Sequence, residues 1–250
     1  MTREKKKLLT WCGTTSPQNI HVPDESKSPL EIFRRVELGI SDPGNEASIS
    51  VVRDGERGKV WRFDKPADRS NYRCESNGIR INQPPCTAYE QWLEDDVYDI
   101  SWSSKLTETF SAEHGDYIIF QWKSNPDATQ NYPFLFRVMN NQLNLIHSNY
   151  RGDFLTVWAS PIQADTWYDI GLRVLLSRDR NKGTLRLSFN GTQQAFLRDQ
   201  NNNMTPGIKT FIGRTLDDGS NYPKWGVYNR DHPAHLLCHY VDRLFIKQIS

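Results

Sequence analysis

The chain has 250 residues, enough for one large all-β domain or two small ones. Its 8 Trp, 10 Tyr and 11 Phe supply both a core for short strands and platforms on which sugars can stack. The formal net charge is +1, so no global field steers the chain to nucleic acid or a membrane surface, any anion recognition has to be local, and no apolar run is long enough for a transmembrane helix.

Taken in order, residues 1–28 are charged and turn-rich and read as an irregular N-terminal arm, and residues 29–250 read as one domain. The start, Met1-Thr2-Arg3-Glu4-Lys5-Lys6-Lys7-Leu8-Leu9, has a basic cluster with no apolar core after it and is no signal peptide. Either the protein is intracellular or its leader lies outside this sequence. Residues 32–38 read as a strand or a short helix, Asp42-Pro43-Gly44-Asn45 as a turn, and 48–53 and 59–63 as strands. A loop over 64–70 leads to a strand at Arg73, and Asn82-Gln83-Pro84-Pro85 breaks the chain. Residues 97–106 alternate cleanly, with Tyr98, Ile100, Trp102, Ser104 and Leu106 on one face. Strands follow at 118–123, 134–138, 142–146, 154–158 and 167–176. Leu185, Leu187 and Phe189 form one face of a strand ending at the hairpin signal Asn190-Gly191, with 194–197 as its return strand. Residues 209–213, the stretch from Tyr222 and a last strand at 237–246 complete a pattern of many short strands with no long amphipathic helix. An antiparallel two-sheet sandwich is the expectation.

The cysteines, Cys12, Cys74, Cys86 and Cys238, fit no zinc spacing. Cys74 and Cys86 flank the Pro84-Pro85 loop and can bridge a hairpin, and Cys12 and Cys238 can tie the chain's ends. Four free thiols is the alternative, which spacing does not separate; an extracellular substrate, inferred below, favours disulfides. Glu94-Asp95-Asp96 reads as a solvated turn, since its oxygens lack a calcium-loop pattern. His232 and His235 read as loop residues rather than a metal pair.

Three strands put chemistry on one face. In Tyr222-Pro223-Lys224-Trp225-Gly226-Val227-Tyr228-Asn229-Arg230, the residues Lys224, Gly226, Tyr228 and Arg230 share a side, and Trp225 and Val227 share the apolar one. Two cations and a phenol, with a glycine keeping the surface open, suit the handling of an anionic chain. In Ile118-Ile119-Phe120-Gln121-Trp122-Lys123, Phe120 and Trp122 take the core side, and Gln121 and Lys123 the other. In Asn71-Tyr72-Arg73-Cys74-Glu75, Arg73 and Glu75 lie together. Arg137 falls opposite Phe136 and Val138, on the side of Gln121 and Lys123. These strands resemble the jelly-roll polysaccharide lyases, the group holding heparin lyase I, the glucuronan lyases and, more distantly, the alginate lyases. That group lines a groove with an Arg-x-Glu, a Gln-x-His and a Lys-x-x-x-Tyr strand. Here they read Arg73-Cys74-Glu75, Gln121-Trp122-Lys123 and Lys224-Trp225-Gly226-Val227-Tyr228, with lysine in the histidine's place. The resemblance runs through most of the chain after about residue 55, including Trp167-Tyr168-Asp169-Ile170 and Tyr240-Val241-Asp242.

The resemblance implies a jelly roll with a substrate groove that cleaves a uronic-acid polymer by β-elimination, glucuronan first and alginate second. Such a reaction removes the proton beside the uronate carboxylate and expels the glycosidic oxygen one carbon further on. Cations or amide donors on the carboxylate stabilise the enolate-like intermediate; a base must reach the proton and an acid the leaving oxygen. Arg73 and Gln121 would bind the carboxylate, and Tyr228 would be base, acid or both. Lys123 would be a base or a charge neutraliser, or would mark a member without activity. Lys224, Glu75, Arg137, Tyr222 and Arg230 would bind the chain. Without the resemblance, Tyr228 is a rim tyrosine, and Arg73 and Glu75 are a surface ion pair worth little. No cofactor is implied; the partner is an anionic polysaccharide, with no nucleic acid and no membrane, and the protein is expected to be a secreted monomer. A non-catalytic, lectin-like module on the same fold is the competing reading. A glycoside hydrolase ranks below both, because no strand face carries the carboxylate pair it needs.

Overall fold

Short segments that alternate apolar and polar residues bury one face each, so they must pack as sheets around a shared core. The computed structural model describes residues 18–21, 23, 25–26, 28, 32–33, 35–38, 47–67, 72–83, 86–89, 92–110, 115–125, 129–229 and 235–249, with the backbone alone for 18–21, 35–38, 80–83 and 86–89. All regular elements among these residues are strands, numbered β1 to β18. One sheet has the order β12 (Phe154–Pro161), β11 (Gln142–Ser148), β10 (Phe134–Met139), β9 (Asp116–Asn125), β17 (Ser220–Tyr228), β5 (Arg73–Asn77), β2 (Arg35–Leu38). The other has the order β15 (Thr192–Gln193), β14 (Thr184–Phe189), β13 (Tyr168–Leu175), β8 (Val97–Leu106), β18 (Leu237–Gln248), β4 (Gly58–Lys65), β3 (Ser48–Asp54). There β1 (Gln18–His21) pairs with β18 and β16 (Phe211–Ile212) with β14, while β6 (Arg80–Gln83) and β7 (Cys86–Tyr89) form a hairpin of their own. β17 closes the gap between β9 and β5, and β18 the gap between β8 and β4, so the chain's last strands complete both layers. This antiparallel two-layer arrangement is a β-jelly roll.

The core between the layers is aromatic. Trp102 of β8 stacks on Phe120 of β9 at 4.8 Å, Trp225 of β17 meets Phe120 at 5.3 Å, and Trp122 lies parallel to Phe134 at 5.5 Å. All five, with Val227, are buried, as the alternation predicts. Three local expectations are corrected. Residues 18–21 fall in the stretch read as irregular, yet they pair with β18. The return strand after Asn190-Gly191 is only β15, because the chain leaves the sheet after two residues. Cys74 and Cys238 are free thiols, not disulfide partners. The Cys74 side chain points into the core and its Sγ lies 3.2 Å from the Ser48 carbonyl, while Cys238 Sγ lies 2.9 Å from an Asp64 carboxylate oxygen. Burial pushes both thiols up, Cys238 to about 11. Cys12 and the Cys86 side chain lie outside the described residues.

Candidate active site

Strand register decides which of the expected residues meet. On β17, Lys224 stands opposite Gln121 of β9 and Tyr222 opposite Lys123, while Gly226 and Tyr228 stand opposite Glu75 and Arg73 of β5. The intervening Trp225, Val227, Phe120, Trp122 and Cys74 fill the core. Arg73, Glu75, Gln121, Lys123, Tyr222, Lys224 and Tyr228 therefore share the outer face of one sheet. Gly226 does more than leave that face open. Its φ is +140°, and a Cβ there would sit 2.2 Å from the Cys74 carbonyl oxygen and 2.7 Å from Glu75 Cα. Only glycine lets the β5 backbone come this close.

Ile119 and Phe120 both enter the core, and the registers of β9 with β10 and with β17 shift there. Such a bulge re-aims the residues beyond it. Arg137 stands opposite Ile118, in the row of Tyr228, and Leu135 takes the position opposite Gln121. The expectation that Arg137 lies beside Gln121 and Lys123 is corrected by that shift. Its guanidinium reaches Asp116 at 3.3 Å.

The polar half of the face is tightly wired. Glu75 accepts a hydrogen bond from Gln121 Nε2 at 2.6 Å and pairs with Lys224 Nζ at 2.7 Å. The Glu75 and Lys224 side chains are each 3% exposed, so they form an internal pair, and Glu75 is not half of a surface one. A carboxylate taken out of water needs such donors, since burying it alone is costly. Lys123 turns the other way: its ammonium hydrogen-bonds Asn131 Oδ1 and lies 5.7 Å over the Tyr132 ring. Tyr228 is half-buried and meets Tyr72 edge-on at 5.6 Å; the Arg73 guanidinium lies 5.4 Å over the same Tyr72 ring. Tyr222 is buried, and Arg230 lies outside the described residues.

Beside Tyr228 the face opens into a groove of about 460 Å³ that runs over Ile118, Arg137, Leu135 and Ile146 to Phe154. Asp116, Tyr132 and Phe154 of this groove are residues that sequence reasoning did not single out. Asp116 and Phe154 begin strands and Tyr132 precedes one, where no alternation marks a face; only the register of β9 through β12 brings them together. His239 also escaped notice, because it sits on the core side of β18. Its Nδ1 donates to the Gly226 carbonyl at 2.9 Å, and its Nε2 accepts from Ser104 Oγ at 2.8 Å. Burial lowers its pKa to about 4, against the opposing pull of the Gly226 carbonyl, so a neutral imidazole ties the second sheet to the β17 backbone beneath the site.

Among the described residues, no three His, Cys, Asp or Glu side chains are grouped to hold a metal ion. Glu94 is bound to Ser177 and Arg178, and Asp95 pairs with Lys182. The His235 ring packs on Phe110 at 4.8 Å, and His232 lies outside the described residues.

Among solved structures, the fold is similar to an endo-β-1,4-glucuronan lyase from the fungus Trichoderma reesei. The TM-score is 0.59 and the identity 14%, over 87% of this chain and 96% of that one. It is also similar to an alginate lyase of polysaccharide lyase family 7, at TM-score 0.53 and 11% identity over 86% and 94%. An alginate lyase from Corynebacterium sp. gives TM-score 0.52 and 11% identity over 86% and 93%. At these identities the likeness is one of fold. No curated protein sequence matches the chain. The family model described as polysaccharide lyase matches residues 39–244, which hold β3 to β17, most of β18 and every described residue of the face above. The chain belongs to the polysaccharide lyase family.

Proposed function

We propose that the protein cleaves a glucuronate-rich polymer by β-elimination, with alginate the second choice. The observation that carries this reading is the direct cross-strand pairing of Tyr228 with Arg73, one step from the Gln121–Glu75–Lys224 network and at the mouth of an open groove. The base takes the proton from C5 of the uronate, and the electron pair flows into the carboxylate as an enolate. The C4–O bond then breaks, leaving a C4–C5 double bond on one fragment and a protonated hydroxyl on the other. Arg73 supplies charge to the carboxylate. Glu75 holds one hydrogen of Gln121 Nε2, which orients the amide and leaves the second hydrogen for the same carboxylate. Lys224 holds the Glu75 carboxylate in place, so it acts through Gln121 rather than on the substrate.

Tyr228 serves as base and then as acid. One residue can do both when the C5 proton and the C4 oxygen lie on the same side of the ring, as they do in glucuronate and mannuronate and not in guluronate, which fits glucuronan and the mannuronate blocks of alginate and disfavours polyguluronate. Lys123, drawn toward Asn131 and Tyr132, is the charge neutraliser rather than the base. A polymer of this kind is met outside the cell, which supports an extracellular protein. The test is a panel of polyuronates followed by the ultraviolet absorbance of the unsaturated product. Absorbance rising on glucuronan is the expected result. A polymer that binds without being cut supports the lectin-like module instead.

A further inference from the structure

The open part of the groove is chemically unlike its polar end. Phe154 is 52% exposed and is the one aromatic among the large hydrophobic side chains exposed in the described residues. Its ring stacks on Tyr132 at 5.3 Å with an interplanar angle of 24°. Between this pair and Tyr228 the floor is Ile118, Leu135 and Ile146. The charged residues lining the groove are Asp116 and Arg137, which pair with each other at 3.3 Å. Within the lining these two charges cancel, and the Lys123 ammonium, 5.7 Å over the Tyr132 ring, brings a cation to the aromatic pair. An exposed aromatic ring continuous with an apolar floor marks a place for a ligand's apolar surface.

We propose that the Tyr132–Phe154 stack is a sugar-stacking subsite that selects pyranose rings with equatorial hydroxyls beside the cleaved unit. The proposal rests on the polysaccharide reading above and adds to it how the neighbouring sugar is recognised. A ring of gluco configuration presents axial C–H groups to an aromatic face and keeps its hydroxyls at the edge. A guluronate ring turns axial oxygens toward the same face and loses both the contact and the hydration of those oxygens. The site therefore reads ring shape on the exposed Phe154 ring and carboxylate charge at Arg73 and Lys123.

The experiment compares Phe154→Ala and Phe154→Trp with the unmutated protein, on glucuronan and on polyguluronate, by calorimetric binding and by turnover. Phe154 is exposed, so both variants are expected to melt where the unmutated protein does. Phe154→Ala is expected to weaken glucuronan binding about tenfold, the size of a lost stacking contact, with KM raised and kcat nearly unchanged. Phe154→Trp should restore the affinity, and binding of polyguluronate should be weak and indifferent to both changes. Equal glucuronan affinity in the unmutated and alanine proteins overturns the subsite while leaving the lyase reading intact. Glucuronan that binds through Phe154 yet is never cut upholds the subsite and overturns the lyase reading. No binding of either polymer by the unmutated protein overturns both.

Discussion

Among single residues, Glu75 shows how the site is held. Its carboxylate is sealed from water and depends on Lys224 and Gln121 for compensation. Replacing it by glutamine takes the Glu75 counter-charge from the buried Lys224 ammonium, and losses of this kind run to about 3–5 kcal/mol. Glu75→Gln is therefore expected to lower the urea midpoint strongly, and the double variant Glu75→Gln/Lys224→Met to recover much of the loss. A single variant as stable as the unmutated protein would mean that the pair is solvated. The sequence makes Glu75 and Lys224 legible as residues of one face, because alternation is a local property. It hides that they are partners, because register across β5 and β17 depends on the close approach at Gly226, a contact distant in the chain. The bulge at Ile119 of β9 moves Arg137 out of the row of Gln121 and into that of Tyr228.

Among the elements, the central strands were the most legible. The clean alternation of 97–106 coincides with β8, Val97–Leu106, since a strand with one face in an aromatic core tolerates no slip. Trp122 has the same logic: it is fully buried and lies parallel to Phe134. Trp122→Ala is expected to cost about 3–5 kcal/mol, read as a drop in thermal midpoint, and an unchanged midpoint would refute its core assignment. Elements governed by pairing at a distance were not legible. β1 forms because β18 offers an edge to it, and β15 is short because beyond Gln194 the chain turns away, Phe196 and Leu197 donating to the Ile208 and Val157 carbonyls instead of to β14. The groove floor was hidden for a related reason: Phe154 and Tyr132 acquire a shared face only after β9, β10, β11 and β12 are laid side by side.

For the whole molecule, two buried histidines set the response to acid. Burial lowers both His147 and His239 from 6.5 to about 4, while the hydrogen bonds to the Arg214 and Gly226 carbonyls pull the other way. With the folded value below the unfolded one, the unfolded chain binds more protons between the two. Stability is then fully present above about 6.5 and falls as pH drops toward 4, by on the order of 3 kcal/mol for each histidine. Denaturant melts at stepped pH should show this slope, and His239→Gln should flatten part of it. The protonated form of His239 also loses its role as acceptor for Ser104 on β8, while its Nδ1 keeps donating to the Gly226 carbonyl of β17. The fold itself is legible from composition and alternation as a two-sheet sandwich, while its jelly-roll order comes from β17 and β18 inserting into opposite sheets, which no local pattern announces. What the face does with a sugar chain rests on Tyr228. The most direct measurement is turnover and binding of Tyr228→Phe beside Lys123→Ala on the polyuronate that the unmutated protein cuts. The account predicts that Tyr228→Phe binds normally and loses roughly 10²–10⁴-fold in kcat, with a smaller loss for Lys123→Ala. Near-normal turnover by Tyr228→Phe, or the greater loss falling on Lys123→Ala, would contradict it.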